Sequence, residues 1–162
     1  MFTGALAASY YGTPRTTMDV DIVVKAAQGK TQAKLISALR EAGIQINERR
    51  IREAFASGFR IVTFKDRRTP FTLDIIFSDK RLKKKAGAIL GLPTFYQTPE
   101  ELVISKLRMI KVTVPKERAL NDEDDVKAIL RFTKVGMKIL KKQARRDSTL
   151  SILETIVADT TS

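Results

Sequence analysis

The 162-residue sequence contains no cysteine, no histidine and no tryptophan, and aromatic residues make up only 7% of it. Without cysteine the chain can form no disulfide, no thiolate metal site and no thiol nucleophile. Without histidine it lacks imidazole as a general base, as a member of a nucleophile triad and as a zinc ligand. Any metal would sit on oxygen ligands, which favours magnesium or manganese. The scarcity of aromatics speaks against a plain nucleic-acid-binding domain that works by base stacking. No apolar run approaches the roughly 18 residues that span a bilayer, and no charged-then-apolar leader opens the chain. A cytoplasmic protein with no membrane partner is expected.

What is present suits a folded chain. Hydrophobic residues are 43% and charged residues 30% of the sequence, too apolar for disorder. The length allows one domain with a real core and an attached helical lobe. A formal charge of +12 draws the protein toward polyanions, nucleotide or nucleic acid being the natural ones, although surface Lys and Arg also serve solubility.

Gly4 to Tyr11, GALAASYY, predicts a short helix ended by Gly12-Thr13-Pro14. Met18 to Val24, MDVDIVV, reads as a buried strand interrupted by two acids. Thr31 to Ala42 carries apolar residues at helical spacing and closes at Gly43, and Asn47 offers an N-cap to a basic helix from Glu48 to Ala56 that stops near Gly58. Phe59 to Lys65 and Phe71 to Phe77 predict two strands joined by a polar hairpin connection. After a basic stretch around Arg81 to Lys85 and a break around 87–98, Thr98-Pro99-Glu100-Glu101 marks a helix start with a capping box, the helix running to about Ile110. Further helices are expected after Asn121, over Met137 to Ala144 and over Leu150 to Val157. The organisation is an α/β core over 1–97 and a helical region over 98–162 packed on it as one unit.

The acids in the strands carry the chemistry. Residues i and i+2 of a strand share a face, so Asp19 and Asp21 project side by side. Unpaired buried carboxylates are costly and like charges repel, so such a pair calls for a cation. If the strand bearing Asp74 lies alongside, three carboxylates converge into a hard oxygen site suited to the magnesium ions that carry a nucleoside triphosphate. The plainer alternative places Asp19 and Asp21 at a strand end in ion pairs with Arg15 or a lysine. Upstream, Gly4 opens a helix whose N-terminal amides suit phosphate, and Arg15 offers a planar fork of donors for phosphate or carboxylate.

These segments together resemble the minimal nucleotidyltransferases of the DNA polymerase beta superfamily, the group that includes abortive-infection and toxin–antitoxin nucleotidyltransferases. The resemblance rests on GALAASYYGTPRTTMDVDIVV, LDIIF, TPEELVISKLRM and NDEDDVKAIL, in that order, across roughly Gly4 to Leu130. It implies an α+β protein, a mixed β-sheet flanked by helices and followed by a helical C-terminal part. Asp19, Asp21 and Asp74 would be catalytic metal ligands for Mg2+ or Mn2+. Gly4 and Ala5 would form the triphosphate turn, Arg15, Thr17 and Lys106 would join them as nucleotide-binding residues, and Asp125 would sit at the cleft rim. Two departures stand out: Ala5 occupies a position where relatives carry Gly or Ser, and the chain begins only three residues ahead of Gly4. An incomplete first strand would leave a sheet edge open to a second copy of the chain.

The expected function is transfer of a nucleoside monophosphate from an NTP, ATP by preference, to an RNA, protein or small-molecule acceptor. Arg81, Lys83, Lys84 and Lys85, with Lys141, Lys142, Arg145 and Arg146, would guide an RNA acceptor or else form solvated faces. The alternative is an antitoxin-like or regulatory module of the same fold, weak in chemistry, that binds a partner protein or nucleic acid.

Overall fold

In the computed structural model, which describes residues 1–25, 30–56, 61–65 and 69–161, the chain divides into two compact units. The first comprises Met1–Thr3 and Thr16–Tyr96, the second Gly4–Arg15 and Gln97–Ser162. The expected helix stop at Gly58, the start of the second strand at Phe59 and the hairpin residues Asp66 to Arg68 lie outside the described residues.

The α/β unit is built on strands β1 (Asp19–Lys25), β2 (Ile61–Lys65) and β3 (Thr72–Ser78), with helices α2 (Lys30–Glu41) and α3 (Glu48–Ala56). The sheet order is β1-β3-β2, with β1 parallel to β3 and β2 antiparallel to it, so the sheet is mixed. One face is apolar because alternate residues carry it: Leu73, Ile75 and Phe77 of β3, and Val62 and Phe64 of β2. These pack with Leu39 of α2 and Ile51 and Ala54 of α3 into one core. Ile75 and Phe77 are fully buried, each contributing about 1.5–3 kcal/mol relative to exposure. Asn47 caps α3 as expected, its Oδ1 accepting the Arg50 amide at 3.2 Å. α2 closes at Gly43, past which the Ile44 amide donates back to the Leu39 carbonyl at 2.9 Å.

Two strands occupy the stretch expected to be a break. β4 (Lys84–Ile89) and β5 (Leu92–Gln97) form a hairpin whose two-residue turn has positive φ at both Leu90 (49°) and Gly91 (78°). Positive φ at both central residues belongs to the type I′ hairpin turn. A leucine in one of those positions, followed by a strand that opens on Leu-Pro, hides the turn from sequence reading. The segment Met1–Thr3 joins this hairpin to β1. Phe2 pairs with Ile22 on one side and Tyr96 on the other, with the Thr3 amide donating to the Asp21 carbonyl at 3.0 Å and the Phe2 amide to the Phe95 carbonyl at 2.8 Å. The edge of β1 expected to be open is thus covered by this segment.

The helical unit contains α1 (Gly4–Tyr11), α4 (Pro99–Val112), α5 (Leu120–Phe132), α6 (Met137–Arg146) and α7 (Leu150–Thr161), with a short 3-10 helix over Lys116–Ala119. α4 is its centre: Leu102, Val103, Ile104, Leu107 and Ile110 are buried against α1, α5, α6 and α7. α1 is small and apolar almost all round, burying Ala5, Ala7, Ala8 and Tyr11, and it packs on α4 and α5. The capping box expected at α4 is only partly made. Proline occupies its first turn, but the Thr98 side chain forms no capping bond. Glu101 accepts from Gln143 at 3.4 Å, and Glu100 accepts the Gly136 amide at 2.9 Å.

α1 and α5 touch where neither has bulk. A Cβ added at Gly12 would lie 2.8 Å from the Ala128 Cβ and 3.0 Å from its carbonyl carbon. Gly12→Ala is therefore expected to destabilise the protein by about 1–3 kcal/mol in urea unfolding, with Ala128→Gly recovering part of the loss in the double variant.

Candidate functional site

The pairing of β1 with β3 decides where the acids go. Asp21 and Asp74 are register partners, as are Asp19 and Thr72. Register partners in adjacent strands share a face, and so do residues two apart. Asp19, Asp21 and Asp74 therefore all stand on the face opposite the apolar core. Thr63 of β2, the register partner of Asp74, stands there too. Two threonine hydroxyls serve these carboxylates: Thr72 Oγ1 donates to Asp19 Oδ1, and Thr63 Oγ1 to Asp74 Oδ1. Asp19 is exposed while Asp21 and Asp74 are half-buried. Thr17 fixes the entry into β1, its hydroxyl accepting the Asp19 amide at 3.1 Å in a local turn of the kind Ser and Thr favour.

The donor set fits a divalent ion in chemistry, being oxygen throughout. It is not drawn up as a finished cage, for among the described residues no group of three or more acidic side chains converges on a common point. An open cleft of about 700 Å³ in the same unit is lined by Val20, Ile44, Phe64, Phe71 and Leu73 among others, and none of the three carboxylates lines it. Val20, Phe64 and Leu73 bring the apolar face of the sheet to its wall.

The helical unit holds the other expected site residues. Gly4 has φ +59°, a conformation that glycine adopts without the clash a Cβ would meet, and it opens α1 with Ala5 buried behind it. Arg15 makes a two-pronged pair with Asp125, Nε to Oδ1 at 2.9 Å and Nη2 to Oδ2 at 3.0 Å. Lys106 is only 5% exposed, and its Nζ lies 2.7 Å from Asp125 Oδ2 and 2.8 Å from Asp122 Oδ1. Burial alone would push the Asp125 carboxyl up, but the hydrogen bonds and charges of Arg15 and Lys106 outweigh it and hold the group below the usual carboxylate range. Asp125 is thus a buried anchor between two cations. The plainer sequence reading of Arg15, an ion pair with an aspartate, describes its position, with Asp125 as a partner.

Sequence reasoning missed the hydroxyls of Thr63 and Thr72. A signal was available in I-V-T-F-K and T-L-D, where a threonine alternates in phase with the acid-bearing face.

The mixed sheet with helices on its apolar face and the helical unit make an α+β architecture consistent with a nucleotidyltransferase-like fold. Among solved structures, the fold is similar to that of an antigenic nucleotidyltransferase-like protein from Paracoccidioides brasiliensis, at 12% identity and a TM-score of 0.66, covering 99% of this chain and 81% of that one. No family model matches the sequence, and no curated protein does. Among the described residues no helix is long and apolar enough to cross a membrane.

The low Asp125 pKa has a definite consequence. A carboxyl depressed in the folded state contributes stability at pH values above its ordinary value, near 3.9, and that contribution is lost as pH falls through the depressed value. Asp125→Asn, which leaves the buried Lys106 with Asp122 alone and removes the charge from the two-pronged Arg15 pair, is expected to destabilise the protein by about 3–5 kcal/mol at pH 7. In urea titrations the gap between wild type and variant should narrow below pH 4.

Proposed function

We propose that this protein is a divalent-metal-dependent nucleotidyltransferase that moves a nucleoside monophosphate from an NTP, ATP by preference, to an acceptor hydroxyl or phosphate. The observation that carries the reading is the placing of Asp19, Asp21 and Asp74 on one face of the sheet, two of them in register across a parallel pair. The nucleotidyltransferase-like fold supports it. Like charges gathered on one face of a sheet repel one another, and a bound cation relieves that repulsion.

In this reading Asp19, Asp21 and Asp74 hold Mg2+ or Mn2+, which would offset the triphosphate charge and activate the attacking oxygen. Thr72 and Thr63 orient two of the three carboxylates through the bonds they already donate. Gly4 and Ala5 offer backbone amides at the start of α1 to phosphate. The acceptor is RNA, a protein or a small molecule. Lys141, Lys142, Arg145 and Arg146 stand exposed on α6 while Leu140 and Ala144 of the same helix are buried, so α6 turns a basic face outward that suits an RNA acceptor.

One observation favours a second reading. Arg15 and Lys106, the two cations assigned to the nucleotide, are both engaged by Asp125. A module of this fold that has kept its structure and weakened its chemistry, binding a partner protein or nucleic acid, is consistent with that engagement.

Calorimetric titration of MgATP in low-phosphate buffer separates the two. The transferase reading expects metal-dependent binding that falls at least tenfold in the Asp19→Asn, Asp21→Asn double variant and in Asp74→Asn. Absence of binding in the wild type would favour the regulatory module.

A further inference from the structure

The acid-bearing face does not end at β1. Phe2 is the register partner of Ile22 on one side and of Tyr96 on the other, and register partners share a face. The Phe2 and Tyr96 rings lie 6.1 Å apart, in keeping with that. Phe2, Ile22 and Tyr96 therefore belong to one face, and the adjacent residues Asp21 on β1 and Phe95 on β5 to the other. Phe95 thus stands on the carboxylate face, two strand spacings from β1, a lateral distance of about 10 Å. It is 44% exposed, an aromatic surface left open in a chain with few aromatics. Lys84 Nζ rests 3.8 Å from the centre of its ring.

We propose that Phe95 and Lys84 form the base-binding platform for the nucleotide whose phosphates the Asp19, Asp21 and Asp74 face would take, an inference that rests on the transferase reading above. A flat π surface beside an ammonium matches a nucleobase followed by its phosphate. From Phe95 the face runs about 10 Å to β1 and about 15 Å to β3, a span that one nucleoside triphosphate bridges from base to phosphates, which selects the donor nucleotide over a longer strand. The Lys84 contact does not block the ring. An exposed cation–π contact is worth about two- to fivefold in an equilibrium, whereas stacking a base on an aromatic ring is worth about five- to 150-fold. The base takes the ring, and the ammonium on its flexible stem turns to the phosphate.

The absence of tryptophan supplies a direct readout. Phe95→Trp introduces the sole indole, and its fluorescence should be quenched saturably by MgATP. Phe95→Ala should weaken MgATP binding by about five- to 150-fold while leaving magnesium tripolyphosphate, which has no base, bound as in the wild type. If wild-type protein binds MgATP but Phe95→Ala binds it equally well and the indole is unmoved, the platform is refuted and the transferase reading stands. Quenching by a short single-stranded RNA but not by MgATP would overturn the donor assignment in favour of an acceptor strand. If the wild type binds no nucleoside triphosphate at all, both this inference and the reading beneath it fall.

Discussion

The parallel, in-register pairing of β1 with β3 is the constraint on which the rest of the α/β unit depends. It sets Asp21 beside Asp74 and Ile22 beside Ile75. Because side chains alternate, a slip of one residue would send the acids of one strand into the core formed with α2 and α3. The hydrophobic content of Leu73, Ile75 and Phe77 holds that register, since each is committed to the apolar side. Core packing and the positioning of the carboxylates are therefore the same interaction seen from two faces.

The helical unit has a different organising principle. Its centre combines an apolar helix, α4, with a buried charge cluster in which Asp125 receives both Arg15 and Lys106. Such a cluster adds little net stability over an apolar packing, but removal of Asp125 takes away the two-pronged bond of Arg15 and leaves the buried Lys106 with Asp122 alone. It fixes the loop after α1 and the start of α5 relative to α4, because the two-pronged Arg15 pair is directional. The cations that the resemblance assigned to a nucleotide are both engaged by Asp125 in this arrangement, and their engagement is the feature that keeps a weakly catalytic module in view.

Much of the fold was legible because it rests on local pattern. The three-and-four spacing of α2, the Asn47 cap of α3 and the alternation of β2 and β3 are written within a few residues of chain. The β4–β5 hairpin was not legible. Lys84–Ile89 is rich in residues with low strand propensity, its turn places a leucine at positive φ, and its anchorage to Phe2 is distant in sequence. α1 reads locally as a helix, yet its membership in the helical unit follows from how Ala5, Ala8 and Gly12 fit against α4 and α5.

The sequence by itself determined that any metal must sit on oxygen ligands and that Asp19 and Asp21 share a face, because composition and a two-residue period need no distant partner. It also marked Asp74 as an acid in an apolar strand. Only the tertiary structure decided that Asp74 lies in register with Asp21, that Thr63 and Thr72 attend these carboxylates, and that Phe95 stands on their face. It alone placed Arg15 on Asp125, 110 residues away in the chain. Pairings of that kind depend on which elements become neighbours, and a helix with a lysine on one side carries no local mark of whether that side will meet water, a ligand or another helix.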